Sequence, residues 1–84
     1  MDINVYSIYD KKAEEYGNPF TDTNDWLAIR RLNMEIKNPD SIMIKHAPDF
    51  ALYKIGKYDT KTGIITADTP PRHVDELTNI IGGN

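Results

Sequence analysis

The side chains best suited to chemistry in this chain are the rings and cations of residues 53 to 58, Tyr-Lys-Ile-Gly-Lys-Tyr, together with the paired arginines Arg30 and Arg31. Aromatic rings on a strand stack on the bases of a single-stranded nucleic acid, while neighbouring cations follow its phosphates. On a regular strand, alternation puts Lys54 and Tyr58 on one face and Tyr53 and Lys57 on the other, so each face offers one ring and one charge. The half-exposed strand of any small sheet has the same pattern, with lysines that discourage edge pairing. Arg30, Arg31, Lys54, Lys57 and Tyr58 are the candidate DNA-binding residues.

Catalysis has little to work with. His46 and His73 lie close to prolines in what read as connecting segments, with no spaced third ligand for a metal. The chain has no G-x-S-x-G and no glycine-rich phosphate loop. Asp59-Thr60-Lys61-Thr62-Gly63 lacks the run of oxygen ligands of a calcium loop. Glu14-Glu15 and Asp75-Glu76 read as solvated acids. No enzyme, catalytic residue, metal site or cofactor is expected.

The elements that must position these groups follow from periodicity. Ile3 to Tyr9 reads as a strand with apolar residues on both faces, its direction relative to its neighbour left open. Asp10 to Tyr16 reads as a turn or a single helical turn, closed by Gly17-Asn18-Pro19. A helix follows, capped by Thr23 or Asn24 and stopped by Pro39. Trp26, Ala28, Ile29, Leu32 and Ile36 form its core stripe, and Leu27 and Met34 share the other side with Arg30, Arg31 and Lys37. Ile42 and Ile44 are expected to turn inward. Phe50 to Tyr58 and Gly63 to Ala67 form a hairpin around Asp59-Thr60-Lys61-Thr62-Gly63. Asp68-Thr69 caps a short last helix opened by Pro70 or Pro71, with Val74, Leu77, Ile80 and Ile81 as its stripe. The expected fold is a single α+β domain over residues 1–84: a small three-stranded, largely antiparallel sheet packed against one main helix and a short C-terminal helix.

With 84 residues and no cysteine, the chain has a small core and no disulfide to support it, so a homo-oligomer is expected. The net charge is −3, against the positive balance usual for nucleic-acid binders. The distribution is uneven: residues 30 to 61 hold seven basic groups against four acidic ones. MDINVYSIYD has no basic segment before a long apolar run, so neither a signal peptide nor a membrane association is expected.

VYSIYDKKAEEYGNPF, the Asn24 to Arg30 region and PDFALYKIGKYDTKTGII resemble the small nonstructural protein of microviruses, single-stranded DNA phages, in their gokushovirus branch. The likeness runs over roughly residues 4 to 67. The resemblance implies a noncatalytic, non-capsid phage protein of the host bacterial cytoplasm. It would bind single-stranded DNA in viral genome replication or packaging, with viral or host replication and packaging proteins as further partners. The alternative is a protein-protein adaptor without DNA contact, binding itself or a viral or host protein through Leu27, Met34 and the exposed sheet face.

Overall fold

The computed structural model describes residues 1–82. Strand β1 (Asp2–Asp10) runs through the middle of the sheet and is the support for most of it. Strands β2 (Glu15–Tyr16) and β3 (Phe20–Asp22) pair with opposite ends of one edge of β1, and β4 (Phe50–Asp59) pairs along the other. Strand β5 (Ile65–Glu76) pairs with β4 and forms the outer edge. Every pairing is antiparallel. Three short helices accompany this curled sheet: α1 (Asp25–Glu35), α2 (Ile42–Lys45) and α3 (Leu77–Gly82).

This corrects the expected architecture. The sheet has five strands, not three, and no single helix dominates the packing. The two added strands are β2 and β3, the latter pairing Phe20–Asp22 with Asn4–Tyr6, and two local readings also change. The segment after Asp10 makes a tight turn, with Asp10 Oδ1 accepting from the amides of Lys12 and Ala13, and then returns as β2 beside Tyr9 and Asp10. The segment around Pro70-Pro71 continues the hairpin strand instead of opening a helix, and α3 begins only at Leu77. The prolines fall in an irregularity of β5, where residues 68 to 71 bulge opposite Ile55. A bulge on an edge strand asks for no ladder amide there.

Other local readings are met. Asn24 caps α1, its side chain accepting from the Leu27 amide at 2.9 Å. Ala28 and Leu32 are buried, with Ile29 and Ile36 packed beside them, whereas Trp26 of the same expected stripe is 64% exposed. Ile42 is exposed as well, and Met43 packs in its place. The Asp59–Gly63 loop closes through Gly63 N–H to the Asp59 carbonyl at 2.8 Å, with Gly63 at φ 75°, the left-handed conformation that glycine adopts without steric cost.

The core lies on one sheet face, where Tyr6 and Leu52 meet Ala28, Leu32, Ala47, Leu77 and Ile80. Asp25 ties that face to α1. One of its oxygens accepts from the Tyr6 hydroxyl at 2.7 Å, and its carboxylate pairs with Arg72 at 3.0 Å. Burial, with the Asp25 carboxylate beside it, pushes the Tyr6 hydroxyl up to about 12.

Candidate nucleic-acid interface

Directly opposed residues of an antiparallel pair point to the same side, so the register assigns every side chain to a face. Tyr9 opposes Tyr16, Ser7 opposes Tyr53, and Tyr53 opposes His73. These rings therefore share the face turned away from the helical core. They form a row across four strands: centroids are 4.7 Å apart for Tyr16–Tyr9, 5.8 Å for Tyr9–Tyr53 and 5.3 Å for Tyr53–His73. The planes meet at 49°, 74° and 87°, tilted and edge-to-face contacts that suit the ring quadrupole. Beneath the row, buried Ser7 donates to the Gly17 carbonyl at 2.8 Å. Tyr16, at the open end, is 44% exposed.

The other end of the row is charged. His73 Nε2 lies 2.5 Å from Glu76 Oε2, while Lys11 Nζ donates to Glu76 Oε1 and to the Pro48 carbonyl. The Lys11 ammonium, then His73, hold the Glu76 carboxyl below its ordinary range against the opposing effect of burial. Burial within the cluster, with Tyr53 and Tyr9 close by, pushes the Tyr16 hydroxyl up. Exposed Lys12 stands next to Lys11 in the β1–β2 turn. Among the described residues, no group of three or more His, Cys, Asp or Glu side chains is placed to hold a metal.

The candidates named from the sequence are dispersed. Ile55 is an extra, unpaired residue in β4, since Val5 opposes Gly56 and Tyr6 opposes Lys54. Such a bulge reverses the alternation beyond it. Lys54 and Lys57, opposite Tyr6 and Asn4, thus share the helix-side face, and Tyr53 and Tyr58 share the other. Lys54 is only 6% exposed and pairs with Asp68 at 2.5 Å; Lys57 is exposed and Tyr58 half-buried. Arg31 is held against β3 by Asp22 at 3.3 Å and the Thr21 carbonyl at 3.2 Å. Arg30 lies over the Trp26 ring at 5.5 Å. Half-buried Leu27 and exposed Met34 do lie together, along a shallow depression shared with Arg30 and Arg31.

Tyr9, Tyr16 and His73 were missed. Tyr9 carried a usable signal, an aromatic residue on a clear strand. Tyr16 sits in a two-residue strand too short to show periodicity, and His73 belongs to a segment whose prolines imitate a helix start.

Gly56 permits the close approach of β4 and β5 beside the bulge. A Cβ there would stand 2.6 Å from the Thr66 carbonyl oxygen.

A family model described as Phage ORF5 protein matches residues 3–80. No curated protein and no solved structure matches the chain.

Proposed function

Because the chain belongs to the Phage ORF5 protein family, we propose that it is a noncatalytic nonstructural protein that binds single-stranded DNA during replication or packaging of a microvirus-type genome in the bacterial cytoplasm. The observation carrying this reading is the aromatic row Tyr16–Tyr9–Tyr53–His73, which crosses four strands on the sheet face free of helices. Rings so placed are a stacking platform tolerant of base identity, because every base has a π-face. Exposed Lys12 at one end, and Tyr58 farther along the same face, extend the contact, while Lys11 is held in its pair with Glu76. Lys57 and the α1 residue Arg30 lie on the helix side of the sheet, away from this contact. Lys54 and Arg31 contribute through the fold, held in their pairs with Asp68 and Asp22.

The test is fluorescence anisotropy of a labelled single-stranded oligonucleotide over a salt series. Micromolar or tighter binding is expected, with a log-log salt slope of about −2 to −4, since each neutralised phosphate on a single strand contributes roughly −0.7. Tyr16→Ala and Tyr53→Ala should each weaken binding about tenfold, the effect of losing one stacked base. Absence of binding at low salt, where electrostatic attraction is strongest, would overturn the reading. It would leave the adaptor alternative, favoured by the shared Leu27 and Met34 surface, in which Leu27→Asp abolishes partner binding and salt has little effect.

A further inference from the structure

We propose that the groove between α1 and the β5–α3 junction seats a second copy of this chain, making a two-fold dimer. The groove encloses about 620 Å³ and is walled by Trp26, Arg30 and Met34 on one side and by Asp75, Asn79 and Ile80 on the other. Trp26 is 64% and Met34 59% exposed, a large apolar surface to leave to water beside a core this small. Trp, Met and Arg are also the residue types that interfaces favour.

The charges select the occupant. Arg30 lies on one wall, its guanidinium steadied at 5.5 Å over the Trp26 ring. Asp75 lies on the other. Among the described residues its two hydrogen bonds, from the Glu76 amide at 2.8 Å and Asn79 Nδ2 at 2.9 Å, both fall on Oδ1, and none falls on Oδ2. Among the described residues, neither Arg30 nor Asp75 takes part in a salt bridge. A two-fold interface is self-complementary: if residue i meets residue j of the second copy, then j meets i. A groove with an unpaired cation on one wall and an unpaired anion on the other satisfies that rule with itself. Arg30 of each copy meets Asp75 of the other, and the Trp26 and Met34 side chains fill the centre.

Sedimentation velocity over a protein concentration series, without DNA, tests this independently of nucleic-acid binding. The wild-type chain should pass from monomer to dimer. Arg30→Asp sets acid against acid twice and Asp75→Arg sets base against base twice, so each variant alone should dimerise at least about tenfold more weakly. An equimolar mixture of the two makes both cross-pairs complementary again and should restore a one-to-one dimer. Met34→Lys, on the exposed side of α1, gives a second reading if Asp75→Arg disturbs α3, and it too should abolish the dimer. A wild-type chain that stays monomeric throughout overturns the proposal. So does a folded Arg30→Asp or Met34→Lys chain that dimerises like wild type, or a mixture of folded variants that fails to associate.

Discussion

Tyr6 and Tyr53 stand on adjacent sectors of one sheet and end in opposite circumstances. Tyr6 is fully buried, its hydroxyl donating to Asp25 and accepting from Asn4 Nδ2 at 2.9 Å, its ring stacked at 5.8 Å on Phe20. Tyr53 is half-buried among Tyr9, Tyr16 and His73, where the rings rest on one another rather than under a helix. The helix-side face has its rings and polar atoms satisfied within the fold. The opposite face keeps ring surface within reach of solvent. One residue type therefore serves the core on one side and, in the function proposed above, a contact surface on the other, and what separates the two settings is whether a helix covers the face.

That contrast breaks most visibly at Leu52, fully buried opposite Ile8. Leu52→Ala should cost about 2–5 kcal/mol, from lost burial and the cavity left behind. Chemical denaturation would measure it, while DNA affinity of the protein still folded stays unchanged. An equal loss of affinity would show that the two faces are not separable.

Tyr6→Phe is milder, about 1–2 kcal/mol, because it leaves the ring packed but removes the partner of Asn4 and one of the donors to Asp25. It also has a distinctive pH signature. The folded-state pKa of Tyr6 is raised from 10.0 to about 12, so its contribution is complete below pH 10 and is lost as pH rises toward 12. Urea melts over that alkaline range should fall more steeply for wild type than for Tyr6→Phe. Parallel curves would mean that the hydroxyl is not held as described.

The smallest effect belongs to Glu76 on the opposite face. Its carboxyl is depressed below 4.5 by Lys11 and His73, so its stabilisation is present above that value and disappears as pH falls through the folded-state pKa. Glu76→Gln should therefore flatten the acid limb of a stability-versus-pH curve. The change is slight because these charges are partly exposed and water screens them. A variant curve superimposable on wild type would remove this network from the account of the face.

Much of the local structure was legible in the sequence. Asn24 at the helix start, the Asp59–Gly63 loop and the burial of Ala28 and Leu32 depend on caps, turn conformations and a 3.6-residue period, all confined to a few neighbouring residues. The faces were not legible. Alternation along residues 53 to 58 predicts that Tyr53 and Tyr58 oppose each other, and the unpaired Ile55 reverses that. Val74 does the same in β5: Leu52 opposes Asp75 while Tyr53 opposes His73. This brings His73 and Glu76 together on the aromatic face. Pro70 and Pro71 match a helix start as well as an edge bulge, and only pairing with β4 distinguishes the two.

By itself, then, the sequence determined where the chain turns, where α1 begins and which residues are apolar enough to build a core. Tertiary structure alone decided which side of the sheet each ring occupies. A bulge costs little locally and is selected by distant partners: it must let Leu52, Val74 and Leu77 pack on the core while β4 and β5 stay paired. No window of neighbouring residues contains that condition.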